Sequence, residues 1–215
     1  METQNTKLKW KGGTLLAPLP AVMVSCGTME KPNIITIGWT GILCSDPPKT
    51  YVSVRPERYS HALIKESGTF VINLTTEALI KATDYCGVRS GRDHDKFAEC
   101  KLTAVPAHEL SDTPVIAECP ISLECKVTDI IPLGSHDMFM ADIVAVDVAP
   151  ELVDEKGALH LERAGLISYA HGDYFAQGKK LGDFGISVRK KSTQKRRNAA
   201  AKGSPKGGKK PSKKR

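Results

Sequence analysis

PNIITIGWTGILCSDPP (residues 32–48), followed shortly by RYSH (58–61), decides the reading of this chain. The first stretch reads as a β-strand rich in small and hydroxylated residues. A rigid Pro47-Pro48 turn follows, then a second strand over 50–54 and a helix starting at Ser60. Small side chains let a flat ligand approach the backbone closely. A helix start presents free N–H groups that suit a phosphate. The pattern therefore describes a site for a planar ring carrying a phosphate.

Working outward, 21–28 (AVMVSCGT) is a short β-prone run, and 29–33 is a turn into the quoted strand, which together make a hairpin pattern. Downstream, 60–67 fits a short helix with Ser60 as N-cap and Gly68 at its stop. TFVINL (69–74) is another strand. A second helix is expected over 76–86, with Ala78, Leu79, Ala82 and Tyr85 as its apolar stripe and Gly87 ending it. The polar loop 87–95 leads to Asp95, which caps a helical turn through Lys96, Phe97 and Ala98. Two long strands, 121–131 and 138–148, are joined by Pro132-Leu133-Gly134-Ser135-His136 and read as an antiparallel pair. After Glu151 the strand signals weaken to an aromatic segment (168–176) and a Gly-rich loop (178–185). The fold class is mostly β (α+β) with a few short helices, because strands outnumber the helices a parallel sheet would need. A closed or split barrel is one architecture among several that this pattern allows.

The domain organisation follows from composition. Residues 1–13 read as an N-terminal arm, 14–188 as one domain and 189–215 as a disordered basic tail. The formal charge of +7 comes from the tail, which holds 13 Lys+Arg and no acid; residues 1–188 keep 18 Lys+Arg against 24 Asp+Glu, a net of −6. The domain therefore offers no nucleic-acid footprint, whereas the tail could contact nucleic acid by counterion release. No apolar run is long enough to span a membrane, and residues 1–10 lack a signal-peptide core, so a cytoplasmic protein is expected. The six cysteines form no Cys-x-x-Cys pair and read as reduced thiols, mostly in the core. His94, His108, His160 and His171 show no metal-ligand spacing. No Rossmann, Walker or nucleophile-elbow motif is present.

Seven pieces in order carry a resemblance that spans 16–185: LAPLPAVMV (16–24), residues 33–48, Arg58-Tyr59-Ser60, FVINL (70–74), Cys86-Gly87 with Ser90-Gly91-Arg92, Asp95-Lys96-Phe97, and Gly134-Ser135-His136. Together they resemble the flavin reductase-like family of FMN-binding split β-barrels, in its flavoredoxin-type branch. The resemblance implies a non-covalent FMN near the interface of a homodimer. It also implies electron exchange with NADH, NADPH or a redox protein. It places Asn33, Thr36, Trp39 and Thr40 along the flavin ring, with Cys44 and Ser45 at the pocket edge. Arg58, Tyr59 and Ser60 fall near the phosphate or ribityl chain. Tyr169 closes the pocket, with Tyr174 as a competing alignment. Lys96 and His136 are the expected catalytic residues, with His136 close to Trp39.

The residue chemistry supports these roles. A lysine ammonium beside N1 of the ring would stabilise the reduced, anionic flavin. An indole stacks on flat rings and donates one hydrogen bond. Histidine handles protons near neutral pH. The Cys44 thiol suits packing against a flavin edge, and a redox role for it stays open. Arg55 or Arg58 could bind a phosphate or a nicotinamide dinucleotide, or face solvent; Ser90-Gly91-Arg92 is a candidate anion loop. The alternative to an FMN-dependent oxidoreductase is a non-enzymatic flavin-binding or scaffold protein whose tail engages nucleic acid or acidic partners.

Overall fold

The architecture comes from a computed structural model that describes residues 6–188. The expected basic tail, 189–215, lies outside the described residues. Of the expected arm, residues 6–13 carry no helix or strand. One compact unit ends at Gly178, short of the boundary expected at 188; the described part of the second unit holds a single 3-10 turn, Ile186–Val188.

The strands are β1 (Leu19–Pro20), β2 (Val22–Gly27), β3 (Pro32–Ile37), β4 (Thr40–Ser45), β5 (Pro48–Val54), β6 (Thr69–Leu74), β7 (Ala104–Pro106), β8 (Pro114–Ile116), β9 (Ile121–Pro132), β10 (Asp137–Val148), β11 (Ile167–Ala170) and β12 (Asp173–Ala176). The helices are α1 (Tyr59–Ser67), α2 (Ile80–Val88) and α3 (Lys96–Cys100). Seven strands form one antiparallel sheet in the order β3-β2-β6-β9-β10-β5-β4. Its two edges, β3 and β4, are consecutive in the chain and joined only by Gly38 and Trp39. The sheet therefore rolls round on itself, and the Ser53 amide in β5 donates to the Trp39 carbonyl at 2.9 Å. The result is a split barrel. Smaller sheets, β1-β11-β12 and β7-β8, lie outside the main order.

Alternate residues fill the barrel: Val24, Ile35, Val52, Phe70 and Phe139 are buried inside, and Ile64 of α1 packs into the same cluster. The opposite face of β2 and β3 is covered as well, because Met23 and Ile34 pack with Cys86 of α2, Phe97 of α3, and Leu102. Coverage on both faces explains why β2 is buried at every position.

Several local expectations are corrected. The 32–48 stretch is two strands, because the chain must cross from one sheet edge to the other at Gly38-Trp39. Ser60 is not the N-cap of α1. Arg58 takes that place in extended conformation, and the Ser60 hydroxyl accepts instead from Asn33 Nδ2 at 2.8 Å. The second helix starts as a 3-10 turn, Glu77–Leu79, and runs through Gly87 to Val88. The Gly68 stop and the Asp95 cap are found as read: Gly68 is left-handed (φ +68°), and Asp95 Oδ1 accepts from the Ala98 amide at 3.1 Å. The short strands β1, β7 and β8 carry too few residues to show a period.

Asn73 joins several of these elements. Its fully buried Nδ2 donates to the Met23 carbonyl (3.0 Å) and Ser25 Oγ (2.9 Å), while Oδ1 accepts from the Ile116 amide (3.1 Å) and Ser122 Oγ (2.8 Å). One amide thereby ties β2, β6, β8 and β9. Asn73→Leu keeps the bulk and strands these partners, so it is expected to cost about 3 kcal/mol or more in urea unfolding. A loss below about 1 kcal/mol would show that water takes over the amide's role.

Candidate active site

Where the barrel is split, two cavities of about 140 and 180 Å³ share Ile35 and Arg58. The first lies over the start of α1, between Arg58, Tyr59 and Ser60 on one side and 88–92 on the other, with Lys96 behind. The second runs along Thr36, Ile37 and Trp39 to Ser53, Gly87 and His136. A larger cleft of about 750 Å³ lies elsewhere, between α1 and 110–113, and shares Tyr59 with the first cavity. Its lining holds one cation, Lys31, against Glu66 and Asp112, so it lacks the charge asymmetry of the two smaller cavities.

Those two cavities are lined by five cations, Arg55, Arg58, Arg89, Arg92 and Lys96, and one carboxylate, Glu57. Glu57 is ion-paired with Arg55 at 3.6 Å. In a domain of net charge −6 this concentration makes a candidate anion site. Arg58, Arg92 and Lys96 are anchored on backbone carbonyls. Arg58 Nη2 donates to the Gly87 carbonyl at 2.6 Å, which pins the start of α1 to the end of α2. Arg92 Nη1 donates to the Glu57 carbonyl at 3.1 Å, and its guanidinium lies over the Tyr59 ring, 5.6 Å from the centroid. Lys96 is only 4% exposed, and Nζ donates to the carbonyls of Ile34 (2.6 Å) and Cys86 (3.0 Å). Burial pushes its ammonium below the usual lysine range; the nearby Cys86 thiol opposes that shift and Arg58 adds to it.

Glycine is required at one point. A Cβ on Gly91 would stand 2.0 Å from Asn33 Oδ1 and 3.1 Å from Tyr59 Cδ1. The loop can therefore close on Asn33, whose Nδ2 is already committed to Ser60. Gly91→Ala is expected to push 88–92 outward and weaken anion binding at least tenfold, as read by pyrophosphate competition in calorimetry. Unchanged affinity would remove this loop from the site.

In the second cavity, Trp39 remains 42% exposed and His136 stacks parallel to it, with centroids 6.3 Å apart and planes 4° off. His136 Nδ1 lies 2.9 Å from Ser135 Oγ. Thr36 lines the cavity, and its hydroxyl donates to the Thr83 carbonyl of α2. Tyr169 sits beside Gly38, with Cδ1 4.0 Å from where a Cβ would be, and meets Tyr174 edge-on at 5.6 Å.

The expected residues thus divide. Thr36, Trp39, Arg58, Tyr59, Ser60, Lys96 and His136 line the two cavities, Asn33 lies behind them on Ser60, and Tyr169 lines neither but sits beside Gly38. Thr40, Cys44 and Ser45 do not line either cavity. The Thr40 hydroxyl donates to the Tyr51 carbonyl at 2.6 Å, and Cys44 Sγ donates to the Asp46 carbonyl at 3.4 Å. The reason is that β4 leaves Trp39 as an extended strand and rises roughly 3.3 Å per residue. Lys96 sits deeper than a surface lysine. Expected to approach the flavin, it is buried in the wall of the first cavity, grouped with Arg58 and Ser60. Arg89 and Glu57 were missed, although Arg89 directly precedes the candidate Ser90-Gly91-Arg92 loop.

The model of the flavin reductase like domain matches residues 15–176. The chain belongs to the flavin reductase-like family. It is a flavoprotein oxidoreductase with the split-barrel fold. Flavoredoxin of Desulfovibrio vulgaris (Miyazaki F) is similar in structure, with TM-score 0.79 and 30% identity over 86% of this chain and 100% of that one. An uncharacterized protein of Archaeoglobus fulgidus is 34% identical over 66% of this chain and 78% of its own. An NADPH-flavin oxidoreductase of Streptomyces viridifaciens is 26% identical over 62% of this chain and 69% of its own. Among the described residues of this flavin reductase-like protein, no helix is long and apolar enough to cross a membrane.

All six cysteines are free. Burial pushes the Cys26 thiol up to about 11 and those of Cys86, Cys119 and Cys125 up to about 12. Cys44 is partly exposed and lies outside that core. Native protein at pH 8 is expected to react with a thiol reagent first at Cys44, and Cys44→Ser to abolish that fast phase. Fast labelling of Cys26 would contradict the packing.

Proposed function

We propose that the cleft binds FMN and that the protein carries electrons between NADH or NADPH and an acceptor through it, as a flavin reductase or in the manner of a flavoredoxin. The observation that carries this reading is the union of a cavity lined by four cations at a helix start with an aromatic and small-residue cavity beside it. The donor set fits the cofactor: guanidiniums, the Ser60 hydroxyl and the free N–H groups of α1 suit a phosphate, while the Thr36–Trp39 backbone with His136 suits a flat ring. When bound, the flavin supplies the hydride and electron chemistry.

The chain's own residues do the rest. Arg58 and Arg92 bind the phosphate and are preorganised by their carbonyl partners. Lys96 adds a third positive charge from behind, with one N–H left over after its two carbonyl bonds. Trp39 and His136 wall the ring and exclude water from it. Ser135 Oγ engages Nδ1 of His136, which leaves Nε2 as the atom able to exchange a proton with the ligand. The adenylate of FAD would have to leave the cavity past Arg92 and Tyr59, so FMN is the favoured flavin. The protein acts as a homodimer in this reading. The exposed Ile42 and Leu43 on edge strand β4 offer an apolar surface for the partner subunit.

Titration of apoprotein with FMN, riboflavin and FAD tests the reading. FMN is expected to bind at least tenfold tighter than riboflavin, since charge-assisted hydrogen bonds contribute about 1.5–3 kcal/mol each. Lys96→Met should narrow that gap. Equal affinities for FMN and riboflavin would rule out the phosphate site. Oxidation of NADH against NADPH, with and without added free FMN, then identifies the electron donor and separates reductase from carrier.

A further inference from the structure

We propose that the His61–Asp137 pair, a buried imidazole on a half-buried carboxylate, is a brace that holds His136 against Trp39 and the start of α1 against the anion cavity. The inference rests on the flavin-cleft reading. Neither residue lines the cleft, so both would act as positioning residues through their chain neighbours.

His61 directly follows Ser60, and Asp137 directly follows His136. Nε2 of His61 lies 2.8 Å from Oδ2 of Asp137, with side chains only 10% and 20% exposed. The imidazole is packed edge-on against the fully buried Phe139, at 5.0 Å and 76°, which leaves it little freedom to turn. Among the described residues no other side-chain hydrogen bond joins α1 to β10. The bond thus closes a loop: Ser60 is tied to Asn33 of β3, His61 to Asp137, and His136 stands beside Trp39, which continues β3. His136 itself sits on a turn, 133–136, closed by the Leu133 amide on the His136 carbonyl at 2.9 Å and bent at Gly134 (φ +100°). Residues 133–135 of this turn are exposed, so the anchor at its C-terminal end bears on where His136 stands. A buried ionisable pair adds little net stability over an apolar pair of similar volume. Its distinctive property is directional: it fixes one geometry between two elements, as the support of a site requires.

Two readouts test the brace. The ring-proton NMR resonances of His136 in the apoprotein, displaced by the Trp39 ring current, report the stacking without any flavin. FMN affinity reports the consequence. His61→Leu is expected to return the His136 resonances toward those of a free imidazole. It should also weaken FMN by roughly tenfold, the lower end of what loss of a supporting partner costs a bound group elsewhere. His61→Gln, whose amide can still donate to Asp137, should keep the displaced resonances and an affinity within about twofold of wild type. If His61→Leu does not fold, Asp137→Ser breaks the same bond from the other side and is read in the same way. A folded bond-breaking variant with unmoved His136 resonances and unchanged FMN affinity overturns the brace. Wild-type protein that binds no FMN overturns the flavin reading instead, while the apoprotein resonances still decide whether the pair positions His136.

Discussion

An edge strand has one side unpaired, and β3 is the edge strand on which this cleft is built. What holds it is a buried ammonium. Lys96 reaches from α3 to the Ile34 carbonyl of β3 and the Cys86 carbonyl of α2, so one cation fastens three elements behind the site. The Thr36 hydroxyl adds a second tie, to the Thr83 carbonyl of α2. Burial makes this charge costly, and the two carbonyl bonds offset that cost while leaving the ammonium's field directed at the cavity in front. The strand is thereby rigid along the stretch where a flat ligand needs a close, fixed backbone.

The electrostatics of the domain are divided in space. Residues 1–188 are acidic in sum, yet the start of α1, 88–92 and α3 gather four cations around one small volume, and Arg55 lines the cavity beside it. None of these charges depends on an acidic partner inside the cavity except Arg55, paired with Glu57. Backbone carbonyls orient Arg58, Arg92 and Lys96 without neutralising them. A focused positive field in a low-dielectric recess attracts an anion and holds it in a stated orientation. The aromatic half beside it carries no net charge apart from Arg55 and Arg58 at its rim, as a neutral ring system requires.

The split of the barrel is what brings these halves together. Because β3 and β4 are consecutive, the chain crosses from one sheet edge to the other at Gly38-Trp39 and leaves the indole beside the seam. The open side of the seam is lined by the start of α1 and by the turn that carries His136. A fully closed ladder at this point would bury the Trp39 backbone in neighbouring strands and leave no cleft.

Much of the fold was legible in the residues. TFVINL was read as β6 to the residue, and the ends of the long β9–β10 pair were read to within one. Local rules suffice there, since alternation, a left-handed Gly68 and the Asp95 cap act within a few residues. The long strand segments β6, β9 and β10 and the acidic balance of residues 1–188 were determined by the sequence alone. Tertiary structure decided the rest. It broke 32–48 into two strands, since closure of a sheet is a property of all its strands at once. It moved Ser60 from capping a helix to accepting from Asn33, distant in the chain, and buried Lys96 under carbonyls. It took Cys44 and Ser45 out of the cleft along β4. It also brought a polar side-chain atom of each of His108, Glu124 and Asp147 within 4.8 Å of the others, and paired His61 with Asp137. Each of these contacts joins residues far apart in the chain, and such meetings are set by how the sheet curls and where its helices dock, which no local pattern encodes.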